Sequence, residues 1–507
     1  MKKTECLEKL HSLDRECCHL EKAAAVLQWD QETYLPEKGV EDRSEQLALL
    51  GGIIHERFTS PETGSLLADL GSTEDNPWGD ELLADLDRDF LKVIFRKYSR
   101  AAKLPRDFVI ATAKAEGLSH AAWVKARQEN DFPAFLPHLI KMIDFSKQRA
   151  LYWGYDKNPY DGLLDIYEPG MDSEAIAGVF NPIKERLSLL LKKIAARPGP
   201  DVSFLKSEFD ISKQAEFNLG LMKKLGFDFS RGRIDTSAHP FSTSLGADDI
   251  RITTRYESRN LLSAIFSAIH ECGHAFYEMS FPPEIRGSSL ADGASMGIHE
   301  SQSRFWENVI GRSQPFWEAM FPALCEVFPD KLRGISAGTF YRAINEVKPS
   351  LIRVDADEVS YSLHVILRFE LEKKLFSGEL DPADLPSRWR QLMKNLLGVE
   401  PETDADGVLQ DIHWSGGSFG YFPSYALGNI YGLQFCEKIK ADLGADFSEG
   451  AEKDRFAALH AWLNENIYKW GCRLDPCDLL KKVTGANLDA APFLNYIEEK
   501  YSHTYQN

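Results

Sequence analysis

Apolar residues recur at helical spacing through most of the chain. In residues 81–100, Leu82, Leu83, Leu86, Phe90, Ile94 and Phe95 fall three or four apart, which predicts one amphipathic helix. Pro105 occupies a helix-starting position, and Pro137 reads as opening a further amphipathic run through Met142 and Phe145. Arg197-Pro198-Gly199-Pro200 is the clearest break and separates a helical N-terminal part, 1–200, from a second part, 201–507. Stripes this regular are core, so the N-terminal part is assigned no chemistry of its own. Strand-like alternation is confined to 249–256, where Ile250, Ile252, Thr254 and Tyr256 alternate with Asp249, Arg251, Thr253 and Arg255. Residues 261–281 then read as a buried helix that Pro282-Pro283 cannot continue.

That buried helix carries His270-Glu271-Cys272-Gly273-His274. Residues four apart share a helix face, so both imidazoles can reach one ion at about 2.0–2.1 Å. Glu271 lies one step round the helix, placed to take a proton from metal-bound water rather than to bind the metal. Gly273 costs about 1 kcal/mol in a helix interior relative to alanine, which points to another backbone passing close by. A second helix, with Gly297-Ile298-His299-Glu300-Ser301-Gln302, supplies an acidic residue 26 positions beyond His274. Two histidines and one carboxylate leave a coordination position open, the arrangement of catalytic rather than structural zinc. Cys272 reads as packing, since helix neighbours point about 100° apart and form no ion pair with the histidines. His299 is either a group orienting a metal ligand or a histidine on the helix surface.

The chain has 507 residues, 43% of them hydrophobic and 27% charged, with a formal net charge of -18. It can bury a large core, and its charge opposes nucleic acid and anionic membrane surfaces as partners. Any anionic group it binds must be met by a few local arginines or lysines. The eight scattered cysteines suggest no disulfide framework or zinc ribbon. With no apolar leader and no run of about 18 apolar residues, the expected location is the cytoplasm.

The spaced motifs resemble the carboxypeptidase Taq family of metallocarboxypeptidases. Beside the metal helix stand Trp29-Asp30-Gln31-Glu32-Thr33, His239-Pro240-Phe241, Asp249-Ile250-Arg251-Ile252-Thr253, His299-Glu300-Ser301-Gln302, and the run from Asp411-Ile412-His413-Trp414 to Tyr421-Phe422-Pro423, in that family's order. The resemblance runs from near residue 23 to beyond 434. The family's last motif, Gly-x-x-Gln, is met here by Tyr431-Gly432-Leu433-Gln434, with the glycine displaced by one. The resemblance implies a mostly α fold: a large helical zincin-type metallopeptidase, one unit over 1–507, with a deep groove and a small β-sheet beside the zinc helix. It implies a homodimer that releases single C-terminal residues from peptides with broad specificity, by Glu-assisted attack of metal-bound water. The metal would be zinc, or cobalt or manganese in its place. His270, His274 and Glu300 would be ligands and Glu271 the general base and acid.

Such an enzyme must also hold a free α-carboxylate, for which a planar guanidinium offers two aligned donors. Arg353 is the first candidate, against a structural pairing with Asp355 or Glu358; Arg251 is the second, against a role supporting the zinc helix from its strand. The tetrahedral intermediate needs a donor for its oxyanion. The Gly- and aromatic-rich stretch 416–428 reads as a loop that offers Tyr425 for this, with Tyr421 and His413 as alternatives. His239 either binds substrate or anchors the turn before Pro240, and Gln434 is the remaining candidate substrate contact.

Overall fold

The computed structural model describes residues 2–444 and 453–505. Helices dominate, beginning with Lys3–Thr33, and the described residues hold a single sheet of three short strands. Buried apolar side chains from Cys6 to Tyr505 join in one continuous core. All eight cysteines are free thiols. Among the described residues, no helix is long and apolar enough to cross a membrane.

The sheet comprises β1 (Gly232–Thr236), β2 (Ser242–Gly246) and β3 (Asp249–Thr254), in the order β1-β3-β2. β3 is central, parallel to β1 and antiparallel to β2. The alternation read over 249–256 holds only in part: Ile250, Ile252 and Thr254 are fully buried and Arg251 only partly so, but Thr253 is also fully buried, and the strand ends at Thr254, short of the half-buried Tyr256. β3 packs against the metal-motif helix, Leu261–Met279, which starts where Asn260 accepts a hydrogen bond from the Ser263 amide at 3.2 Å.

Three expectations about local structure need correction. The helix read over 81–100 is Asp85–Ala102: Asp80 accepts from the Leu82 amide, the chain turns there, and Leu82 is left 92% exposed. Pro137 does not open a helix but lies inside Phe132–Trp153, which begins where Asp131 accepts from the Ala134 amide. Pro137 and Pro133 both lie on the exposed side of this helix. The stretch 416–428 is a loop only as far as Tyr421. Pro423 then sits in the first turn of a helix, Phe422–Leu443, which carries Tyr425 and Gly428.

Gly273 marks a close crossing, as its helix-breaking character suggested. A β-carbon there would stand 2.6 Å from the carbonyl oxygen of Gln302 and from Ser303 Cα. Those residues belong to the second helix, Met296–Arg304, capped by Ser295 accepting from the Ile298 amide at 3.0 Å. Beyond Arg304 the chain widens into a π-helical turn, Phe305–Ile310. The Phe422–Leu443 helix closes on the other side of Met296–Arg304, so the segment bearing Glu300 is gripped between two helices.

Candidate metal centre

Among the described residues, one group of three donors lies within ion-binding reach: His270, His274 and Glu300, whose donor atoms are all within 4.8 Å of one another. Glu300 Oε2 stands 3.6 Å from His270 Nε2 and 3.4 Å from His274 Nε2. Ligands held about 2.0–2.1 Å from one ion at tetrahedral angles are about 3.4 Å apart, so the donor set fits a divalent ion as it stands.

The neighbours of these side chains fix their orientation. His270 Nδ1 lies 3.0 Å from Glu307 Oε2, so a neutral ring that donates Nδ1–H there turns its Nε2 lone pair towards the other two donors. Glu307 sits in the π-helical turn, flanked by Arg304 and Arg312 at 3.4 and 3.3 Å. Burial works against its charge, but the His270 hydrogen bond and the two guanidiniums hold its carboxyl down at about 2. His274 Nδ1 is 2.6 Å from His299 Nδ1, and His299 Nε2 is 2.8 Å from Glu278. For His274 Nε2 to remain a lone pair, its Nδ1–H must donate to His299, whose Nε2–H then donates to Glu278. Burial and the neighbouring His299 and His270 push His274 down to about 3, favouring that neutral ring. His299 thus lies hydrogen-bonded between His274 and Glu278 and is not a free surface histidine.

Glu300 uses its second oxygen to accept from Arg304 Nε at 2.8 Å, while Ser303 donates to Oε2 at 2.9 Å. Burial opposes its ionisation, but Arg304 and the two histidines keep it well below the usual carboxylate range. Glu271 is 5% exposed, and burial raises its carboxyl to about 7. It is thus poised to gain and lose a proton near neutrality. Cys272 is fully buried, and burial drives its thiol well above the ordinary range, which suits packing.

A second cluster gathers around Arg353. Its Nε and Nη2 donate to Asp411 Oδ1 at 3.2 and 2.8 Å, and Nη1 donates to the Tyr361 hydroxyl at 3.1 Å. Asp411 also receives Arg368 Nε at 2.6 Å. Arg353 is 6% exposed and pairs with neither Asp355 nor Glu358. Two guanidiniums around one carboxylate leave a surplus positive charge, and three of Arg353's five N–H donors are engaged by Asp411 and Tyr361. Arg353 Cζ lies 4.9 Å from the Tyr425 ring centre, and the Tyr425 hydroxyl is 3.1 Å from His413 Nε2. Tyr421 packs edge-on against Tyr425 at 4.9 Å. Arg353, Tyr425, Tyr421 and His413 thus form one group.

The other candidates are hydrogen-bonded to residues outside these clusters. Arg251 is clamped by Asp249 through two hydrogen bonds of 2.9 Å and lies over the Trp29 ring at 4.4 Å. His239 is exposed in the connection from β1 to β2, where its carbonyl accepts from Ser237. Gln434 donates to the Asn487 carbonyl and accepts from the Asp489 amide, tying its helix to the C-terminal segment. An intact Gly-x-x-Gln occurs instead at Gly407-Val408-Leu409-Gln410, where Gln410 accepts from the Arg353 amide at 2.9 Å and from Arg368 Nη2 at 2.8 Å. Sequence reasoning passed over Gln410, Arg368, Tyr361, Arg304 and Glu307. For Gln410 a signal was present, since it directly precedes the Asp411 motif.

The chain is similar to known proteins along almost its whole length. The family model described as carboxypeptidase Taq (M32) metallopeptidase matches residues 9–501. The chain is 41% identical over 503 residues to carboxypeptidase 1 of Bacillus subtilis, covering 98% of each. It is 40% identical over 508 residues to thermostable carboxypeptidase 1 of Thermus thermophilus, again covering 98% of each. The crystal structure of the M32 carboxypeptidase from Deinococcus radiodurans superposes with a TM-score of 0.94 at 38% identity, covering 99% of both chains.

Proposed function

The chain belongs to the carboxypeptidase Taq family of metallopeptidases, a metal-dependent carboxypeptidase acting on peptides, and from that premise we propose how its residues divide the work. His270, His274 and Glu300 hold the ion, and the observation that carries this is the 3.4 and 3.6 Å spacing of their facing donor atoms. A divalent ion bound there supplies Lewis acidity to the scissile carbonyl and to water. Two imidazoles and a carboxylate suit zinc, with cobalt or manganese able to replace it.

Glu271 removes a proton from the attacking water and returns it to the leaving amine; its near-neutral carboxyl supports both halves of that exchange. Arg353 receives the substrate's terminal carboxylate with its two remaining donors, held in place by Asp411. Tyr425, beside Arg353 and oriented by His413, donates to the developing oxyanion. Recognition centred on the carboxylate supports broad side-chain specificity. The continuous core supports reading 1–507 as one unit. The family resemblance supports a homodimer, and the eight free thiols a reducing, cytoplasmic setting. The direct test dialyses the protein against a chelator and adds zinc, cobalt or manganese back singly. C-terminal residues should be released from a short peptide only after metal is restored; undiminished release without metal would refute the assignment.

A further inference from the structure

Tyr361 stands between the two halves of this site. Its ring packs beneath Arg304, whose Cζ lies 4.2 Å from the ring centre, and its hydroxyl accepts from Arg353 Nη1 at 3.1 Å. Arg304 in turn donates to Glu300 Oε1 at 2.8 Å, and the other oxygen of Glu300 faces His270 and His274. Arg353 Cζ is 5.9 Å from the same ring centre. One side chain, 6% exposed, therefore touches both the cation that fixes a metal-binding carboxylate and the cation offered to the substrate. It is rooted in the first turn of the Glu358–Ser377 helix, whereas Arg353 and Arg304 come from separate segments.

An exopeptidase of this kind has one distance to hold constant, that from the ion to the guanidinium. Each residue of extended peptide spans about 3.3–3.6 Å, so a shift of that size would present the next peptide bond. We propose that Tyr361 is a positioning residue that sets this span, its ring locating Arg304 and its hydroxyl locating Arg353, so that the terminal peptide bond meets the ion. The proposal deepens the carboxypeptidase reading and rests on Arg353 as the receiver of the terminal carboxylate.

The experiment compares wild type, Tyr361→Phe, Tyr361→Leu and Arg353→Gln, each loaded with zinc, on one short peptide with a free or an amidated C-terminus. Tyr361→Phe keeps the ring under Arg304 and frees Arg353. KM for the free-acid peptide should rise roughly tenfold, as loss of a hydrogen bond to a charged group implies. Zinc affinity and kcat should stay near wild type. Tyr361→Leu should also release dipeptides, because the span is no longer fixed. If Arg353→Gln loses the preference for the free acid but Tyr361→Phe keeps both that preference and the wild-type KM, the span-setting role is overturned and Arg353's role survives. If Arg353→Gln keeps the preference, both are overturned. Equal losses on the two peptides in Tyr361→Phe, with a lower melting temperature, would make Tyr361 merely structural and also overturn the proposal.

Discussion

The backbone of Gly428 closes directly over the side chain of Glu300: a β-carbon on Gly428 would stand 2.6 Å from Glu300 Cγ and 2.9 Å from its Cβ. On the opposite side, Gly273 lets the metal-motif helix approach the backbone of Gln302 and Ser303 just as closely. The third candidate ligand is thus placed by two missing side chains, one on each flanking helix. Neither contact uses a hydrogen bond; both depend on the distance at which helices can cross.

Gly428→Ala should therefore displace Glu300. Overpacking of this kind costs about 1–3 kcal/mol of stability, and the shifted carboxylate should weaken zinc binding by roughly tenfold or more. Chelator competition reads the affinity directly. Wild-type affinity in this variant would mean that the helices yield elsewhere and that Glu300 is not held by this contact.

Glu307→Gln keeps an oxygen for His270 Nδ1 but removes the charge that faces Arg304 and Arg312. Loss of such an orienting partner lowers metal affinity about 10–100-fold. The same competition measurement checks it, and an unchanged dissociation constant would show that His270 is oriented without Glu307.

Glu271→Gln should bind metal as wild type does yet lose at least about 100-fold in kcat, the share of a general acid–base group. Metal content by mass spectrometry and steady-state rates on the same sample separate the two effects. Near wild-type turnover would remove Glu271 from the proton transfers.

Glu168 provides a test of stability against pH. It is fully buried, accepts from the Gly297 amide and the Ser424 hydroxyl at 2.6 Å each, and burial raises its carboxyl to about 7. Its folded pKa lies above the unfolded value of about 4.3, so between these two pH values the native state holds the extra proton. The contribution is present in full below the unfolded pKa and is lost as pH rises towards about 7. One proton corresponds to a fall of up to about 1.4 kcal/mol per pH unit in that window. Urea titrations of Glu168→Gln from pH 4.5 to 7 should show a shallower decline than wild type; parallel curves would contradict the buried-acid account.

The parts of the site carried by one helix were legible in the sequence, because their geometry is local. The spacing of His270 and His274, the position of Glu271 and the penalty for Gly273 all follow from helical periodicity. Glu300 needed only one further helix. The supporting groups were not legible, because they meet across the fold: Glu307 lies 37 positions from His270, and Asp411 lies 58 from Arg353 and 43 from Arg368. In sequence, Glu307 looks like an ordinary charged helix residue, and Asp411, although it opens one of the resembling motifs, gives no sign of the arginines it meets. Pro137 and Tyr425 misled for another reason. Pro137 was read from the preference of proline for helix starts and Tyr425 from its Gly- and aromatic-rich surroundings, whereas one lies on an exposed helix face that tolerates proline and the other follows a proline in a helix's first turn. Gln434 was matched to the family's last motif and Gln410 was passed over, although it is Gln410 that accepts from the Arg353 amide.

The most direct test of the account is a mass-spectrometric time course on one nine-residue peptide, free or amidated at its C-terminus, with metal-loaded and chelated protein. The account predicts a ladder that shortens one residue at a time from the free C-terminus and disappears on chelation or amidation. Internal cuts in both peptides, or a ladder that persists after chelation, would contradict it.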